Sequence, residues 1–302
     1  MTVPSPRPGA VEIALLLSLA TLWSSSFAFI KIAVETIPPL TVAAGRLALA
    51  AVLIVAAARL RGLNFPASDG LWAKFLAIGL FGNALPFTLI SWGEVTIDSG
   101  LAAILMAVMP PATLVLAHLF TVDERMNPAR ILGVLLGFGG VVVLIGPAAL
   151  AGLGDEALRQ TAVAGGAVCY AIATVIARRL PRMPLLVSSA GALIAAVTLS
   201  LPLALLVDRP WALAPAPESV GAVIILGLFP TALAILMYFA LLRRTGATFI
   251  ALNNYLIPSL GVIWGILFLG EALSVRAILA LGIILAGIAV TRIGMRQSAP
   301  TT

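Results

Sequence analysis

Long apolar stretches alternate with short polar breaks along nearly the whole chain. A helix needs about 20 apolar residues to cross the hydrocarbon core of a bilayer, and ten stretches come near that length. Such continuous runs favour helices, which satisfy their own backbone hydrogen bonds, over the alternating strands of a membrane barrel, a remote alternative. The pattern therefore predicts an all-α integral membrane protein with ten transmembrane helices. The predicted spans are 12–34, 39–60, 71–93, 97–121, 129–147, 160–180, 184–207, 218–242, 247–270 and 275–294.

The composition excludes an ordinary soluble domain. Hydrophobic residues make up 61% of the chain and charged residues only 10%, against about 25% charged residues in a typical soluble domain. The first span is longer than the apolar core of a signal peptide and holds the bulky Trp23, Phe27 and Phe29. We therefore expect this span to be retained.

The net charge of +6 comes from basic residues that sort by side of the membrane and form no basic face, so no nucleic-acid partner is predicted. Most of them fall on the side of the N-terminus. The opposite side holds only Lys31, Arg159, Arg209 and Arg276. This bias predicts that both termini are cytoplasmic. Most acidic loop residues, Glu94 among them, are assigned to the outer side.

Two halves of the chain repeat one pattern. The sequence GLFGNAL from Gly79 recurs as GLFPTAL from Gly227, and the segments 111–124 and 258–271 both run from a proline to a glutamate. Shared composition would explain matching Leu, Ala and Gly, but not the prolines and the terminal glutamates. Each unit has five spans, and an odd number of crossings gives tandem copies opposite orientations, an architecture common among transporters that work by alternating access.

Several features resemble the EamA-type branch of the drug/metabolite transporter superfamily. They are the segment Trp23-Ser24-Ser25-Ser26-Phe27, the segment Gly45-Arg46-Leu47, and the glutamates Glu124 and Glu271 before the last helix of each unit. Within that branch the chain is most similar to the YddG-type exporters of aromatic and other amino acids. The resemblance implies two EamA-like repeats, 1–150 and 151–302, and a secondary transporter of the bacterial inner membrane that exports amino acids by alternating access.

Polar and aromatic side chains in mid-span are the candidates for contact with a small-molecule substrate. Amides and hydroxyls in hydrocarbon need a partner, and rings and thioethers suit an apolar substrate side chain. Each residue also has a structural interpretation, as an interhelical hydrogen bond or as core filling. The predicted substrate contacts are Trp23, Ser24, Asn83, Met106, Tyr170, Thr231, Tyr238, Asn253 and Asn254.

Prolines interrupt four of the predicted spans near mid-membrane. A proline leaves a backbone carbonyl without its usual partner, so these positions are candidate hinges or gates. Static kinks are the alternative. The residues concerned are Pro86, Pro110, Pro111, Pro230 and Pro258.

Arg46 is the clearest charge inside a span. It can bind a substrate carboxylate, extend towards the interface or brace a helix end, and its place in the family pattern favours a structural role. Spans five and ten hold no interior charge. Their small-residue spacings, Gly133 to Gly137 and Gly282 to Ala286, predict close packing as a scaffold.

Missing features narrow the function. No Asp or Glu lies in the middle of a predicted span, which favours facilitated transport or coupling through a less obvious group. The chain has no phosphate-binding loop, no catalytic motif and a single cysteine, Cys169, so we predict neither an enzyme nor a metal site nor a cofactor. The partners predicted are an amino-acid substrate and the lipid bilayer. The alternative is an exporter of another metabolite or drug in the same fold, proton-coupled transport included.

Overall fold

The computed structural model describes residues 9–66, 68–120, 128–145, 155–245, 253–272 and 274–297, and these residues form helices and short turns without a strand. The all-helical class is therefore confirmed for this part of the chain. The helices are α1 (Ala10–Ala33), α2 (Pro39–Leu60), α3 (Asp69–Glu94), α4 (Ser99–Phe120), α5 (Pro128–Ile145), α6 (Asp155–Ala177), α7 (Leu185–Val207), α8 (217–245), α9 (Asn253–Leu269) and α10 (Val275–Gln297).

Each helix falls on a predicted span. In the described residues, 7 helices are long and apolar enough to cross a membrane, and shorter apolar helices lie within α5, α9 and α10. Glycines in the left-handed region end two of the helices, Gly62 after α2 and Gly270 after α9. Residues with a Cβ rarely adopt this backbone conformation, so each glycine stops its helix at a defined residue.

The repeated GLF sequence is where the helices depart from α-geometry. Residues Leu80–Ala84 of α3 and Gly227–Leu233 of α8 form π-helical turns, and a 3₁₀ turn, Met106–Val108, interrupts α4. The π-helical turns are the rare kind, and they occur frequently at functional sites. The two halves therefore share a local distortion as well as a sequence.

Helix packing follows a two-fold pattern. When α1 to α5 are exchanged with α6 to α10, each main packing pair maps onto another: α1 with α9 onto α6 with α4, α3 with α6 onto α8 with α1, and α2 with α8 onto α7 with α3. The pairs α2 with α7, α4 with α9 and α5 with α10 map onto themselves. The bundle is thus built from contacts between the two halves.

The contact of α5 with α10 depends on glycines. A Cβ on Gly287 would lie 2.7 Å from the carbonyl oxygen of Gly133 and 2.8 Å from the amide nitrogen of Gly137. Gly140 is equally close to α10. The predicted close packing therefore exists, but the Gly282 to Ala286 spacing was the wrong signal, because a Cβ on Gly282 would meet no atom within 4 Å.

Candidate functional site

Arg46 lies at the meeting point of the two halves. It is 4% exposed, and its Nε and Nη2 donate to the hydroxyl oxygen of Thr231 on α8 at 3.2 and 3.0 Å. Its Cζ lies 3.9 Å from the ring centroid of Phe87 on α3. No acidic side chain forms an ion pair with it among the described residues. The guanidinium is therefore buried in place and does not extend to the interface.

The π-helical turn of α8 explains how Thr231 receives Arg46. The Thr231 hydroxyl donates at 2.8 Å to the carbonyl of Leu226, five residues earlier, which the wider turn brings within reach. Its oxygen is then free to accept from the guanidinium. Asn83 holds the corresponding position in α3, and its Nδ2 points to the carbonyl of Ile78, again five residues earlier, at 3.5 Å. That distance makes the Asn83 bond weak.

Two pairs of aromatic rings lie in the helices around the halves' contact, and one of them includes Phe87 beside Arg46. Phe87 meets Tyr170 of α6 edge to face, with the ring centroids 6.4 Å apart, and Trp23 of α1 lies 5.8 Å from Tyr238 of α8. These rings are partly exposed although they lie in mid-helix. Part of each ring is therefore accessible and apolar.

Other predicted contacts are engaged within the bundle. The Ser24 hydroxyl accepts from the indole nitrogen of Trp264 at 2.8 Å and donates to the carbonyl of Thr21 at 3.1 Å, so it bridges α1 and α9. Met106, in the 3₁₀ turn, packs with Tyr170 against the main hydrophobic core. The hydroxyl of Ser24 is thus used in hydrogen bonds within the bundle, whereas the side chain of Met106 is partly exposed.

The two asparagines at the start of α9 differ in what the structure describes. Asn253 is 2% exposed, and neither atom of its amide has a partner among the described residues. The side chain of Asn254 lies outside the described part of the chain. A buried amide without a partner is costly, so Asn253 is a candidate contact for a ligand or a water molecule.

The candidate hinge prolines coincide with departures from α-geometry in three helices. Pro86 lies two residues after the π-helical turn of α3, and Pro230 lies inside that of α8. Pro110 and Pro111 follow the 3₁₀ turn of α4. Pro258 lies inside α9 with no such turn beside it. A helix bends more easily where its hydrogen-bond ladder is already interrupted.

The end of the bundle at which α3 stops, which we name the Glu94 end, is held closed by bonds between the halves. Both oxygens of the Glu271 carboxylate accept from the first amides of α4, Ser99 at 2.6 Å and Gly100 at 2.9 Å. An anion at a helix N-terminus is stabilising. Arg159 of α6 donates to the carbonyl of Trp92 at 2.6 Å. Glu124, the counterpart of Glu271, lies outside the described residues.

Sequence reasoning missed the environment of Glu94. This last residue of α3 was assigned to an outer loop, but it is 0% exposed, and neither carboxyl oxygen has a hydrogen-bond partner among the described residues. Lys31 of α1 donates instead to the carbonyls of Glu94 and Ile97, at 2.9 and 2.8 Å. The signal in the sequence that could have found it was an acidic residue at the end of the third apolar span together with a lysine, Lys31, near the same end of the first span.

Asp98, in the turn between α3 and α4, belongs to the same acidic group. Burial raises the pKa of the Asp98 carboxyl, and the Glu271 carboxylate raises that pKa further, while Lys31 opposes the change. The packing at the Glu94 end therefore disfavours the charged form of Asp98.

At the opposite end, a cavity of about 180 Å³ opens between α4 and α6. Arg179 borders it and donates to the carbonyl of Phe120 at 3.0 Å. None of the predicted substrate contacts lines this cavity. Its lining consists of Leu116, Phe120, Ile172, Val175, Ile176 and Arg179.

Comparison with known proteins places these features in context. The model of the EamA-like transporter family matches twice, over residues 10–146 and 160–293. An inner membrane transporter of Escherichia coli K12, YedA, described as uncharacterized, is 28% identical over 92% of this chain and 90% of its own length. A probable terminal-alkyne amino-acid exporter of Streptantibioticus cattleyicolor is 26% identical over 95% and 96%. A solved structure shares the fold, with a TM-score of 0.68 at 23% identity, and covers 95% of this chain and 99% of the other.

Proposed function

Because the chain belongs to the EamA-like transporter family, we propose that it exports amino acids, aromatic ones among them, by alternating access. One observation carries the choice of cargo: Arg46 is a buried cation between the halves, without an acidic ion-pair partner in the described part of the chain. The group that all amino acids offer such a cation is the α-carboxylate, which a guanidinium binds with charge-assisted hydrogen bonds.

The rings near Arg46 suit the side chain of an aromatic amino acid. Phe87 contacts the guanidinium and meets the ring of Tyr170, and a second aromatic pair, Trp23 of α1 with Tyr238, includes a residue of α8, the helix that also carries Thr231. Ring-to-ring contacts are favourable when they are offset or edge to face. The resemblance to exporters of aromatic amino acids, and a relative named as an exporter of an unusual amino acid, support the same cargo class.

Alternating access requires two halves that can rock about a shared centre. The matching GLF sequences, the π-helical turns at the same positions and the two-fold packing support repeats 1–150 and 151–302 of opposite orientation. We propose that Pro86, Pro110, Pro111 and Pro230 let the half-helices bend beside these turns. Pro258 would bend α9 alone.

The sorting of basic residues supports a location in the inner membrane with both termini in the cytoplasm. In that orientation the Glu94 end faces outwards. The bonds of Glu271, Lys31 and Arg159 then close the protein towards the outside, and the cavity beside Arg179 lies on the cytoplasmic side.

A second cargo class is another metabolite or drug that carries a carboxylate. Arg46 suits any such anion equally and disfavours a hydrophobic cation. The partly exposed rings favour an aromatic group, but they do not require an amino group on the substrate.

Proteoliposomes separate the two classes. We expect saturable flux of radiolabelled phenylalanine into vesicles that hold the purified protein, absent from empty vesicles. Phenylpropionate, which lacks only the amino group, should compete much more weakly than tyrosine. Equal competition by phenylpropionate would favour the wider anion class, and no flux of any amino acid would refute the proposal.

A further inference from the structure

Glu94 is buried in a way that makes a charge on its carboxyl group costly. An ionised carboxylate taken out of water without hydrogen bonds or an ion pair costs several kcal/mol, whereas the neutral acid costs much less. Both carboxyl oxygens of Glu94 are buried and have no hydrogen-bond partner among the described residues, and the same is true of the hydroxyl of Ser91 one turn earlier. The geometry of the closed Glu94 end therefore suits the neutral acid.

We propose that Glu94 is a proton-binding site: its carboxyl group holds a proton while the Glu94 end is closed and releases it when that end opens to water. The step is a simple proton transfer: as the end closes, a carboxylate oxygen takes a proton from hydronium and leaves water, and as the end opens, the carboxyl group returns that proton to water. Closing is thus linked to proton uptake, and lower pH on that side favours the closed state.

Lys31 shows why the ligand is a proton and not a metal cation. Backbone carbonyls beside a carboxylate could coordinate a sodium ion. Here the carbonyl oxygens of Glu94 and Ile97 already accept hydrogen bonds from the ammonium group of Lys31. The same ammonium is close enough to attract Glu94 once the carboxyl ionises. Opening would therefore leave an ionised Glu94 with a cation beside it.

The other charged groups around Glu94 come from every helix packed there. Lys31 belongs to α1, Arg46 to α2 and Glu271 to the segment after α9, and all three act electrostatically on Glu94. Asp98 follows in the next turn. On α6, which packs against Gly93, Glu156 and Arg159 face the same end. Any test must therefore distinguish the effect of Glu94 on the pH dependence from the effects of Asp98, Glu156 and Glu271.

Thiol accessibility measures opening directly. In a Cys169→Ala background, a cysteine at Ile97, which is 2% exposed, reacts with a membrane-impermeant thiol reagent only when the Glu94 end opens. A cysteine at Val95, which is 42% exposed, reacts in either state and corrects for the effect of pH on thiols. The ratio of the two rates, in proteoliposomes without substrate, reports the open fraction.

We expect this ratio to rise with pH, by up to about tenfold per unit for a single proton. Glu94→Gln, which copies the neutral acid, should hold the ratio low and independent of pH. Glu94→Asp should keep the dependence with a shifted midpoint. Asp98→Asn, Glu156→Gln and Glu271→Gln should each keep a rising ratio.

Three results would overturn the inference. They are a wild-type ratio that does not change with pH, a Glu94→Gln protein with the wild-type dependence, and a ratio that follows sodium concentration at fixed pH. The inference takes its opening motion from the proposed function, but the assay needs no substrate. If amino acids are transported but the ratio of thiol-reaction rates does not change with pH, the proton site is refuted and the proposed function stands. If the ratio changes with pH but no amino acid is transported, the proposed cargo is refuted and the proton site stands.

Discussion

Two nitrogens of Arg46 share one acceptor, the hydroxyl oxygen of Thr231, so a single atom of α8 holds the central cation of α2. That oxygen is oriented by its own bond to the carbonyl of Leu226, which only a π-helical turn brings within reach. The distortion in the second half thus positions a charge that belongs to the first half. Asn83 holds the same place in α3, and no arginine of the described segments bonds to it.

Thr231→Val should weaken both stability and substrate affinity. Valine keeps the shape but removes the acceptor, which leaves buried charged donors unpaired at a cost above the roughly 1–3 kcal/mol of a neutral group. We expect a lower unfolding temperature in detergent and a higher KM for phenylalanine. Thr161→Val is the matched control, because its exposed hydroxyl bonds only the carbonyl of Ala157 in its own helix. Equal effects of the two substitutions would contradict the role of Thr231.

Phe87→Leu should raise the KM while the protein stays folded. Leucine fills similar space but has no ring to hold the guanidinium, and a desolvated cation–π contact contributes about 2 kcal/mol, roughly thirtyfold in affinity. Phe65→Leu serves as the control, since that ring meets the exposed Arg59 at 5.0 Å from its centroid. A KM unchanged by Phe87→Leu would show that the ring does not position Arg46.

Gly265→Ala should disrupt the closed Glu94 end. The added methyl group would overlap the Glu271 carboxylate that caps α4, so either the cap or α9 must shift. Overpacking of this kind costs about 1–3 kcal/mol. Gly282→Ala is the control, because its Cβ meets open space, and alanine in a helix should add up to about 1 kcal/mol. Thermal unfolding of both variants in detergent measures this difference in stability. If the Glu271 carboxylate did not cap α4, Gly265→Ala should be no less stable than Gly282→Ala.

Gly287→Ala should lower stability without changing the KM. Its Cβ would collide with the backbone of α5 at Gly133 and Gly137, far along the chain from any candidate substrate contact. Gly139→Ala, on the same helix pair but facing open space, should be harmless. A changed KM in folded Gly287→Ala protein would mean that α5 and α10 do more than support the bundle.

The sequence predicted the helices well because length and apolarity decide whether a segment can lie in a bilayer. It also located the repeated GLF sequence, but not the π-helical turns, since these depend on how α3 and α8 pack against α7 and α2. Gly282 was misjudged because spacing alone does not tell which face of α10 meets α5.

The candidate site shows the same limit. The polar residues of the spans could be named from the sequence, but their partners could not. Ser24 is bonded to Trp264, a residue from the other half, and Thr231 to Arg46. Glu94 was counted with the loops because it ends a span, and only the packing of α1 and α6 around it reveals its burial.

The central claim, that Arg46 binds the carboxylate of the substrate, is tested most directly by counterflow of radiolabelled phenylalanine in proteoliposomes. Unlabelled phenylalanine inside the vesicles should drive uptake in the wild type and in Arg59→Gln, whose arginine lies exposed on the same helix, but not in Arg46→Gln. Phenylalaninamide, which lacks the negative charge, should not compete. Wild-type counterflow in Arg46→Gln, or competition by the amide equal to that of phenylalanine, would contradict the account.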